Sequence, residues 1–522
     1  MAKYDSKQLC EIIEQLFAQQ APVLSLWQTI ADNFYPERAD FTRTRSIGDE
    51  LGAGLMDSYP VIARRDLGNS IQSMLRDGHW FDMTADKDVG PAADSWMERA
   101  TKKLYDLMHN RQSNFVRSAR EGDHDYISFG QCVISVEVNR LRTGLLYRCW
   151  HLRDCAWWEE SDGSVAGVVR KWTPTLRDMM MTFGDKCHRT VMENYTKKPF
   201  DTIQMRHIVM PSGMYGDEEI SAVYPYVSIY IDTTHQHIIE AVGLHHQHYV
   251  VPRFFTLSGQ PYAVSPATIA ALPNSRLLQS MTFTLMEAGE RIVRPPMIAQ
   301  HGVFRGDVDL SSNGITFIDS GYDERFGEAL RPLATNGGGL PFGMDMKRDV
   351  ISLISSAFYL DKLGLPARNA EMTAYEVQER MKQYRREALP LISPIETEYS
   401  AQLCEISFDV AMNAGFFGRP ETIPEELQGQ DVRFKFKSPI TDSEQDEKLN
   451  RYESLLALAE RTAALDKQVL DIPDFDTAFR DACEGGNMPV DWLNSEKVTM
   501  KLRQAQAAAV QAGGAPGVEI NE

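Results

Sequence analysis

The sequence predicts an α+β protein built from several structural parts. Apolar residues recur with helical spacing over the first 125 residues, whereas they alternate with polar residues between positions 128 and 255. From position 265 onward, long helical segments return around a short region rich in turns. At 522 residues the chain exceeds what one compact core usually holds, so we expect two or more domains or an elongated subunit.

Composition narrows the class of protein. The apolar fraction of 43% and the aromatic fraction of 10% are typical of a folded chain. No stretch approaches the roughly 18 apolar residues of a membrane-spanning helix. The amino terminus has no apolar signal core, so we expect a protein made and kept in the cytoplasm, with no membrane partner. The seven cysteines are scattered, which favours reduced thiols over a disulfide or zinc framework.

The net charge of −19 disfavours a protein that grips nucleic acid with a broad basic face. A mostly acidic wall is compatible with a conduit, because it repels phosphates and denies them a deep binding minimum. Acidic charge is also common among soluble proteins, so the charge by itself does not decide the function.

Three helices are predicted in the first 125 residues. The first spans Ser6 to Phe34, where apolar residues recur every three or four positions up to the break at Tyr35-Pro36. The second is expected from Val61 to Leu75, and the third begins at Pro91 or Asp94.

Strands are predicted in the region that follows, because β-branched and aromatic residues cluster there between turn signals. The expected strands are Val133 to Val138, Leu145 to Trp150, Val165 to Trp172 and Ile220 to Ile231, with a short helix from Leu176 to Phe183.

A second helical region begins at Ser265, whose hydroxyl suits an N-cap, with Pro266 at the first helical position. We expect Pro273 to interrupt this helix before it continues to about Val293. The sequence Arg294-Pro-Pro then ends it.

Residues 297–343 predict short strands and turns, and a helix resumes at about Met344. Each of the two helices that flank this module carries one apolar stripe among scattered polar residues. Such a hairpin cannot bury itself within a compact domain, and packing against copies of itself in a ring would complete the burial. A longer helix is expected from Thr373 to about Ala414, and further helices follow residue 443.

Several short motifs occur in an order that resembles one protein family. Thr373-Ala-Tyr-Glu-Val-Gln-Glu-Arg follows the breaker-rich segment 360–372 and matches the pattern T-A-x-E-V-x-x-R. Gly259-Gln-Pro-Tyr and Ser265-Pro-Ala match G-x-P-Y-G-x-S-P, although Ala263-Val replaces the glycine and the basic residue of that pattern. In this order and spacing, the chain resembles the head-to-tail connector (portal) proteins of short-tailed, podovirus-type (T7-like) bacteriophages.

The resemblance implies a portal fold with defined parts. These are a wing of residues 1–264 (helical over 1–125, strand-rich over 126–264), a first stem helix 265–294, a clip 295–343, a second stem helix 344–359, a tunnel loop 360–372, a long wing helix with return strands 373–442, and a helical crown with a flexible tail 443–522.

The resemblance also implies a function without enzymatic activity or cofactor. A ring of twelve subunits at one capsid vertex would nucleate procapsid assembly and conduct double-stranded DNA during packaging and ejection. Its implied partners are the major capsid protein, the scaffolding protein, the terminase large subunit, a tail adaptor or tail tube protein, and internal core proteins. Lys362 and Arg368 would face DNA phosphates at the narrowest point, with Lys347 and Arg348 as further candidates.

Histidines provide the alternative hypothesis. Five of them lie within fourteen residues, at positions His235, His237, His245, His246 and His248. The i, i+2 spacing would place two on one face of a strand and two on a neighbouring strand of a hairpin, where they could bind a transition metal. A metal-dependent hydrolase or nuclease is therefore the alternative function. Surface or interface histidines on paired strands explain the same pattern.

Other catalytic signatures are missing from the sequence. Asn336-Gly-Gly-Gly lacks the lysine and the strand-to-helix context of a phosphate-binding loop. The sequence also contains no Gly-x-Ser-x-Gly and no His-Glu-x-x-His. We therefore interpret the glycine run as a connection between the clip and the second stem helix.

Overall fold

The structure is a computed structural model of the full chain. It describes residues 3–76, 78–85 and 91–299, and then, with short gaps, much of 301–363. Beyond these it describes 383, 386, 393–419, 423–427, 429, 432–437, 439–463, 472–485, 499 and 503. Both helices and strands are present in the pattern that the sequence predicts, so the α+β class is confirmed.

The described helices are α1 (Ser6–Phe34), α2 (Tyr59–Leu75), α3 (Pro91–His109), α4 (Phe115–Phe129), α5 (Leu176–Phe183), α6 (Arg189–Tyr195), α7 (Ser212–Tyr215), α8 (Glu218–Ser221), α9 (Pro266–Val293), α10 (Gly339–Ala357), α11 (Leu360–Leu363), α12 (Ala401–Asn413), α13 (Pro439–Ala463) and α14 (Phe475–Gly485).

The described strands are β1 (Phe81–Ala85), β2 (Val133–Val138), β3 (Leu145–Trp150), β4 (Cys155–Glu159), β5 (Val165–Trp172), β6 (Met205–Pro211), β7 (Tyr226–Asp232), β8 (His237–Leu244), β9 (Tyr249–Val250), β10 (Met297–Ala299), β11 (Leu330–Pro332) and β12 (Val432–Phe436).

Helix α1 has the predicted bounds, and a capping box fixes its start. The Asp5 carboxylate accepts a hydrogen bond from the Gln8 backbone at 2.8 Å, and the Gln8 side chain accepts one from the Asp5 backbone at 3.1 Å. The helix is long enough to serve two cores. Its first half packs on the larger sheet, while Trp27 and Phe34 lie in the main core.

Helix α4 was not among the predicted helices, although it is buried along most of its length. It ends at Gly130, which has a φ of +79°. A Cβ atom at this position would lie 2.3 Å from the backbone of Val264, so only glycine fits. This close approach places the end of α4 against the start of α9.

Two antiparallel sheets form the strand-rich part of residues 1–264, for which we keep the label wing as a name only. Five strands pair in the order β4-β5-β6-β7-β8, and three pair in the order β3-β2-β9. The first half of α1 covers one face of the five-stranded sheet, and α5 and α6 cover the other. Residues that alternate along β7 show this arrangement, since Ile229 and Ile231 face α1 while Tyr230 faces α5.

The strand predicted from Ile220 to Ile231 is wrong at its beginning. The structure forms the short helix α8 there, and β7 starts only at Tyr226. The physical reason is the Asp217 carboxylate, which accepts hydrogen bonds from the backbone N–H groups of Glu219 and Ile220 and caps a helical turn.

The helical hairpin differs from the prediction in two details. Helix α9 runs through Pro273 without a break, and α10 begins at Gly339, five positions before the predicted Met344. Between them, β10 and β11 pair antiparallel, with Ala299 opposite Leu330. Within the described part of the chain, no helix combines the length and the apolar character needed to cross a bilayer.

The predicted helix from Thr373 to Ala414 is described only in its second part. Residues 395–400 form a π-helical turn that continues into α12, and most of 373–392 lies outside the described residues. Strand β12 returns from this region to pair with β1, with Phe436 opposite Phe81. Of the helices predicted after residue 443, α13 and α14 are described, and most of 486–522 lies outside the described residues.

Candidate channel hairpin

The candidate channel site is the hairpin of α9 and α10. Ser265 caps α9 by accepting a hydrogen bond from the Thr268 backbone, and Pro266 occupies the first turn as predicted. The two helices touch closely near their clip-side ends, where a Cβ atom added at Gly343 would lie 2.7 Å from Leu285 Cδ2. Nearer the wing, Ile354 of α10 is completely buried.

A network of polar contacts anchors this hairpin to the segment before α2. The Gln279 carbonyl oxygen accepts hydrogen bonds from the backbone N–H groups of Met56 and Asp57 at 2.7 and 2.8 Å. The Gln279 amide donates one to the Asp57 carbonyl at 2.8 Å. These three bonds satisfy the side chain of Gln279 on α9 and fix the hairpin's position on the wing.

Lys347 completes the anchor from α10. Its ammonium group lies 2.8 Å from the Asp57 carboxylate, and the Asp57 side chain is only 15% exposed. Burial would raise the pKa of Asp57, but hydrogen bonds from Lys347 and from the backbone of Tyr59 outweigh it and lower that pKa. The charge of Lys347 is therefore neutralised within the subunit.

The other sequence-predicted cations have different surroundings. Arg348 lies on the exposed surface of α10 and pairs with Asp345, one turn away, at 3.2 Å. Lys362 lies in α11, exposed, with its ammonium group 5.8 Å from the centre of the Tyr359 ring. Arg368 lies outside the described residues. A role of these residues in DNA contact therefore stays a prediction.

The expected tunnel loop 360–372 begins with one turn of helix, α11, rather than with an irregular segment. Tyr359, with a φ of +56°, makes the turn between α10 and α11. The half-buried Leu360 packs against the main core, and Ser356 donates a hydrogen bond to Asp361 at 2.9 Å. Residues 364–372 lie outside the described part of the chain.

Large apolar side chains remain exposed on both helices of the hairpin. In α9 and α10 they are Ile269, Leu277, Phe283, Met286, Ile292, Val293, Phe342, Met344, Met346 and Leu353. The inner faces of the helices are already occupied by each other and by the rest of the described fold, so these residues are exposed to solvent in the single chain. Many exposed large apolar side chains on one hairpin are typical of an element that packs against another molecule.

The structure contradicts the proposed histidine cluster. Strand β8 pairs with β7, and the two histidine groups lie at opposite ends of β8, about 24 Å apart by strand rise. His235 and His237 lie beside His188, with the His235 ring stacked 4.5 Å from the His188 ring. Among the described residues, no group of three or more His, Cys, Asp or Glu side chains is arranged to hold a metal.

The remaining histidines have separate partners. The ring of His245 lies 4.8 Å from that of Tyr224, and His246 lies 2.9 Å from the Asp409 carboxylate. Burial, and to a lesser extent His246, lowers the pKa of His248 to about 4, which keeps its imidazole neutral at physiological pH. All five histidines are at least partly exposed, as expected for surface histidines, but only His237 lies in a strand.

Sequence analysis missed the buried ion pairs that connect distant parts of the wing. Arg76, at the end of α2, donates hydrogen bonds of 2.6 and 2.7 Å to Asp123 of α4, and both side chains are buried. The Arg76 guanidinium also lies 4.6 Å from the centre of the Tyr399 ring, just before α12. No local signal marks this contact, because its members are far apart in the chain.

The described fold combines a mixed helix-and-sheet part with a long two-helix hairpin whose inner face is packed and whose other side chains include many exposed apolar residues. Residues 6–493 match the family described as bacteriophage head to tail connecting protein. The chain therefore belongs to the family of bacteriophage head-to-tail connecting proteins.

Solved structures and curated proteins were compared as well. One similar chain comes from the virion of a native gene transfer agent particle, with 11% identity and a TM-score of 0.37, covering 76% of this chain and 85% of that one. Another comes from the neck of an empty gene transfer agent particle, with 11% identity and a TM-score of 0.38, covering 79% and 89%. No curated protein matches the sequence.

Proposed function

We propose that the protein is a portal subunit of a short-tailed type of phage, which assembles into a ring of twelve at one capsid vertex. The ring conducts double-stranded DNA during packaging and ejection and nucleates procapsid assembly. It docks the terminase large subunit during packaging and the tail adaptor afterwards. It also contacts the major capsid protein, the scaffolding protein and internal core proteins, and a separate ATPase supplies the energy.

The exposed apolar surface of the hairpin carries this proposal, together with the family. Phe283 on α9 and Leu353 on α10 are 54% and 55% exposed. Full burial of one such side chain contributes roughly 1.5 to 3 kcal/mol to the free energy of association. Packing against a neighbouring copy of the hairpin is the simplest way to bury both. Closing a ring in this way places the hairpins around a central hole. Negative-stain microscopy and native mass spectrometry test the proposal, and monomers at all concentrations and salt conditions would contradict it.

The assignment of the parts follows the family pattern. The hairpin of α9 and α10 serves as the stem, and residues 360–372 serve as the tunnel loop. The clip, expected over residues 295–343, shortens to 295–338 because α10 begins at Gly339. Residues 373–442 return to the wing and 443–522 form the crown. In the virion the ring lies between capsid and tail.

Removal of the clip should abolish docking of the terminase and of the tail adaptor while the wing still folds. Because Ala299 and Leu330 are direct partners in the β10–β11 pair, residues 300–329 are replaceable by a two-residue Asn-Gly turn. Pull-down of each partner measures docking, and circular dichroism measures folding. The control variant keeps the clip and carries Asn-Gly in place of Arg142-Thr143, in the turn between β2 and β3. If the shortened protein still binds both partners, the clip assignment is wrong.

Replacing Lys362 and Arg368 with alanine should leave ring assembly intact but impair DNA translocation or retention. Each cation lost removes one phosphate contact per subunit, so we expect DNA binding at low salt to weaken by about fivefold or more, and less at high salt. A matched control replaces Lys102 and Lys103, two exposed lysines of α3. Cross-links that placed residues 360–372 on the outer rim, away from packaged DNA, would refute the channel role.

A further inference from the structure

A cleft in the wing is lined by more arginine residues than acidic residues. The cleft encloses about 760 Å³. It lies between three parts of the chain, namely the segment that follows α1, helix α2, and the turn that joins α3 to α4. Four arginines line it, namely Arg38, Arg111, Arg117 and Arg120. The chain as a whole carries a net charge of −19, so a basic cleft departs from the general character of the surface.

Each of the two lining carboxylates already has an arginine partner, one in the cleft lining and one behind it. Glu121 lies 2.7 Å from Arg38, which also binds the buried Asp125 at 2.8 Å. Glu37 faces the buried Arg64 at 3.9 Å. Arg38 and Arg64 thus carry two positive charges against the three negative charges of Glu37, Glu121 and Asp125, so this group has a net charge of −1 and the other three lining arginines leave the cleft net positive.

Arg111, Arg117 and Arg120 are exposed and have no ion pair or side-chain hydrogen bond with any described residue. The side-chain amides of Gln72 and Asn114 also line the cleft, and they too make no side-chain hydrogen bond within the described part of the chain. The positive end of α4, which begins at Phe115, adds to the potential. The cleft thus presents three unneutralised guanidinium groups and two amide donors.

Histidine titration contributes little to this charge at physiological pH. Burial, together with the charges of Arg64 and Arg120, lowers the pKa of His124 to about 4, and burial also lowers the pKa of His109. Both imidazoles are therefore neutral near pH 7. The positive charge comes from guanidinium groups, which stay charged at every pH that the protein tolerates.

We propose that this cleft is a phosphate-binding site. Guanidinium groups donate paired hydrogen bonds that match phosphate oxygens, and a phosphate concentrates up to two negative charges in one place. An acidic peptide would instead spread its charge over about 3.4 Å per residue, along a surface that is acidic elsewhere. The phosphate belongs to a nucleotide that enters the cleft or to a DNA backbone that lies across its mouth. The site does not depend on ring formation.

The test compares the full-length protein with the triple variant R111A/R117A/R120A. The control, R99A/R177A/R189A, removes the same charge from exposed arginines outside the cleft. Calorimetry with inorganic phosphate and a deoxynucleoside triphosphate, and anisotropy with a labelled 20-base-pair duplex, give the affinities at about 50 mM salt. We expect the triple variant to lose about tenfold or more in affinity for at least one of these ligands, and the control to stay within about twofold.

The ligands distinguish the source of the phosphate. If only the affinity for phosphate or nucleotide falls, the ligand is a small molecule. If the affinity for the duplex falls, and its dependence on salt decreases by the equivalent of about two to three phosphate contacts, the ligand is the DNA backbone. The proposal is overturned if no phosphate ligand binds the wild type more tightly than the triple variant. Binding of poly-glutamate alone through these arginines would overturn it as well. The single variant R117E, checked by circular dichroism, should reproduce the loss without a change in fold.

Discussion

Replacement of Asp123 with alanine should lower the free energy of unfolding of the wing by about 3 to 5 kcal/mol. The Arg76 guanidinium would then remain buried without a counter-charge, because Asp123 accepts both of its short hydrogen bonds. Urea unfolding followed by circular dichroism and tryptophan fluorescence measures the effect, and the fully buried Trp80, one of eight tryptophans in the chain, has its ring 5.9 Å from the Arg76 guanidinium.

The control for this prediction is an ion pair of the same type on the surface. Asp345 and Arg348 lie 3.2 Å apart with both side chains more than 70% exposed. Asp345→Ala should therefore cost less than about 1 kcal/mol. A second variant, R76M/D123L, replaces both charges with apolar groups and should recover part of the loss. If Asp123→Ala costs no more than Asp345→Ala, the buried pair does not stabilise the wing.

The double variant F283D/L353D should abolish ring formation while each subunit remains folded. Both residues are exposed in the single chain, so aspartate at either position meets only water in the monomer. In a ring, the proposed contact between hairpins would bury two new charges per subunit, each costing several kcal/mol, and would lose two apolar side chains. Native mass spectrometry and microscopy should show monomers or small oligomers where the wild type forms closed rings.

A matched control places the same substitutions on the strand-rich part of the wing. Leu141 and Phe200 are 74% and 72% exposed, and neither belongs to the hairpin. L141D/F200D should form rings as the wild type does. Closed rings of F283D/L353D at the wild-type concentration would show that the hairpin surface is not the contact between subunits.

Features that depend on neighbouring residues in the chain were predictable. The bounds of α1, β2, β3, β5 and α5 agree with the prediction, as does the cap of α9 at Ser265. In these segments the periodicity of apolar residues and the capping groups act within a few positions of each other. The alternation of strand and helix was therefore enough to establish the α+β class.

The anchor, the wing ion pairs and the cleft required the tertiary structure. Phe81 pairs with Phe436, Asp57 with Lys347, and Arg76 with Asp123, across separations that leave no periodic signal in the sequence. Lys347 is an example. Its position in the chain suggested contact with DNA, whereas in the structure the Asp57 carboxylate neutralises its charge.

The sequence by itself determined the class of fold, the bounds of several helices and strands, and the resemblance to the connector family. Only the tertiary structure decided which charges are neutralised and which remain available. The two groups of histidines lie far apart because β8 lies between them. Three arginines lie at one cleft because the α3–α4 turn and α4 form its wall. The net charge of a site depends on partners brought together by long-range packing, and composition does not encode that packing.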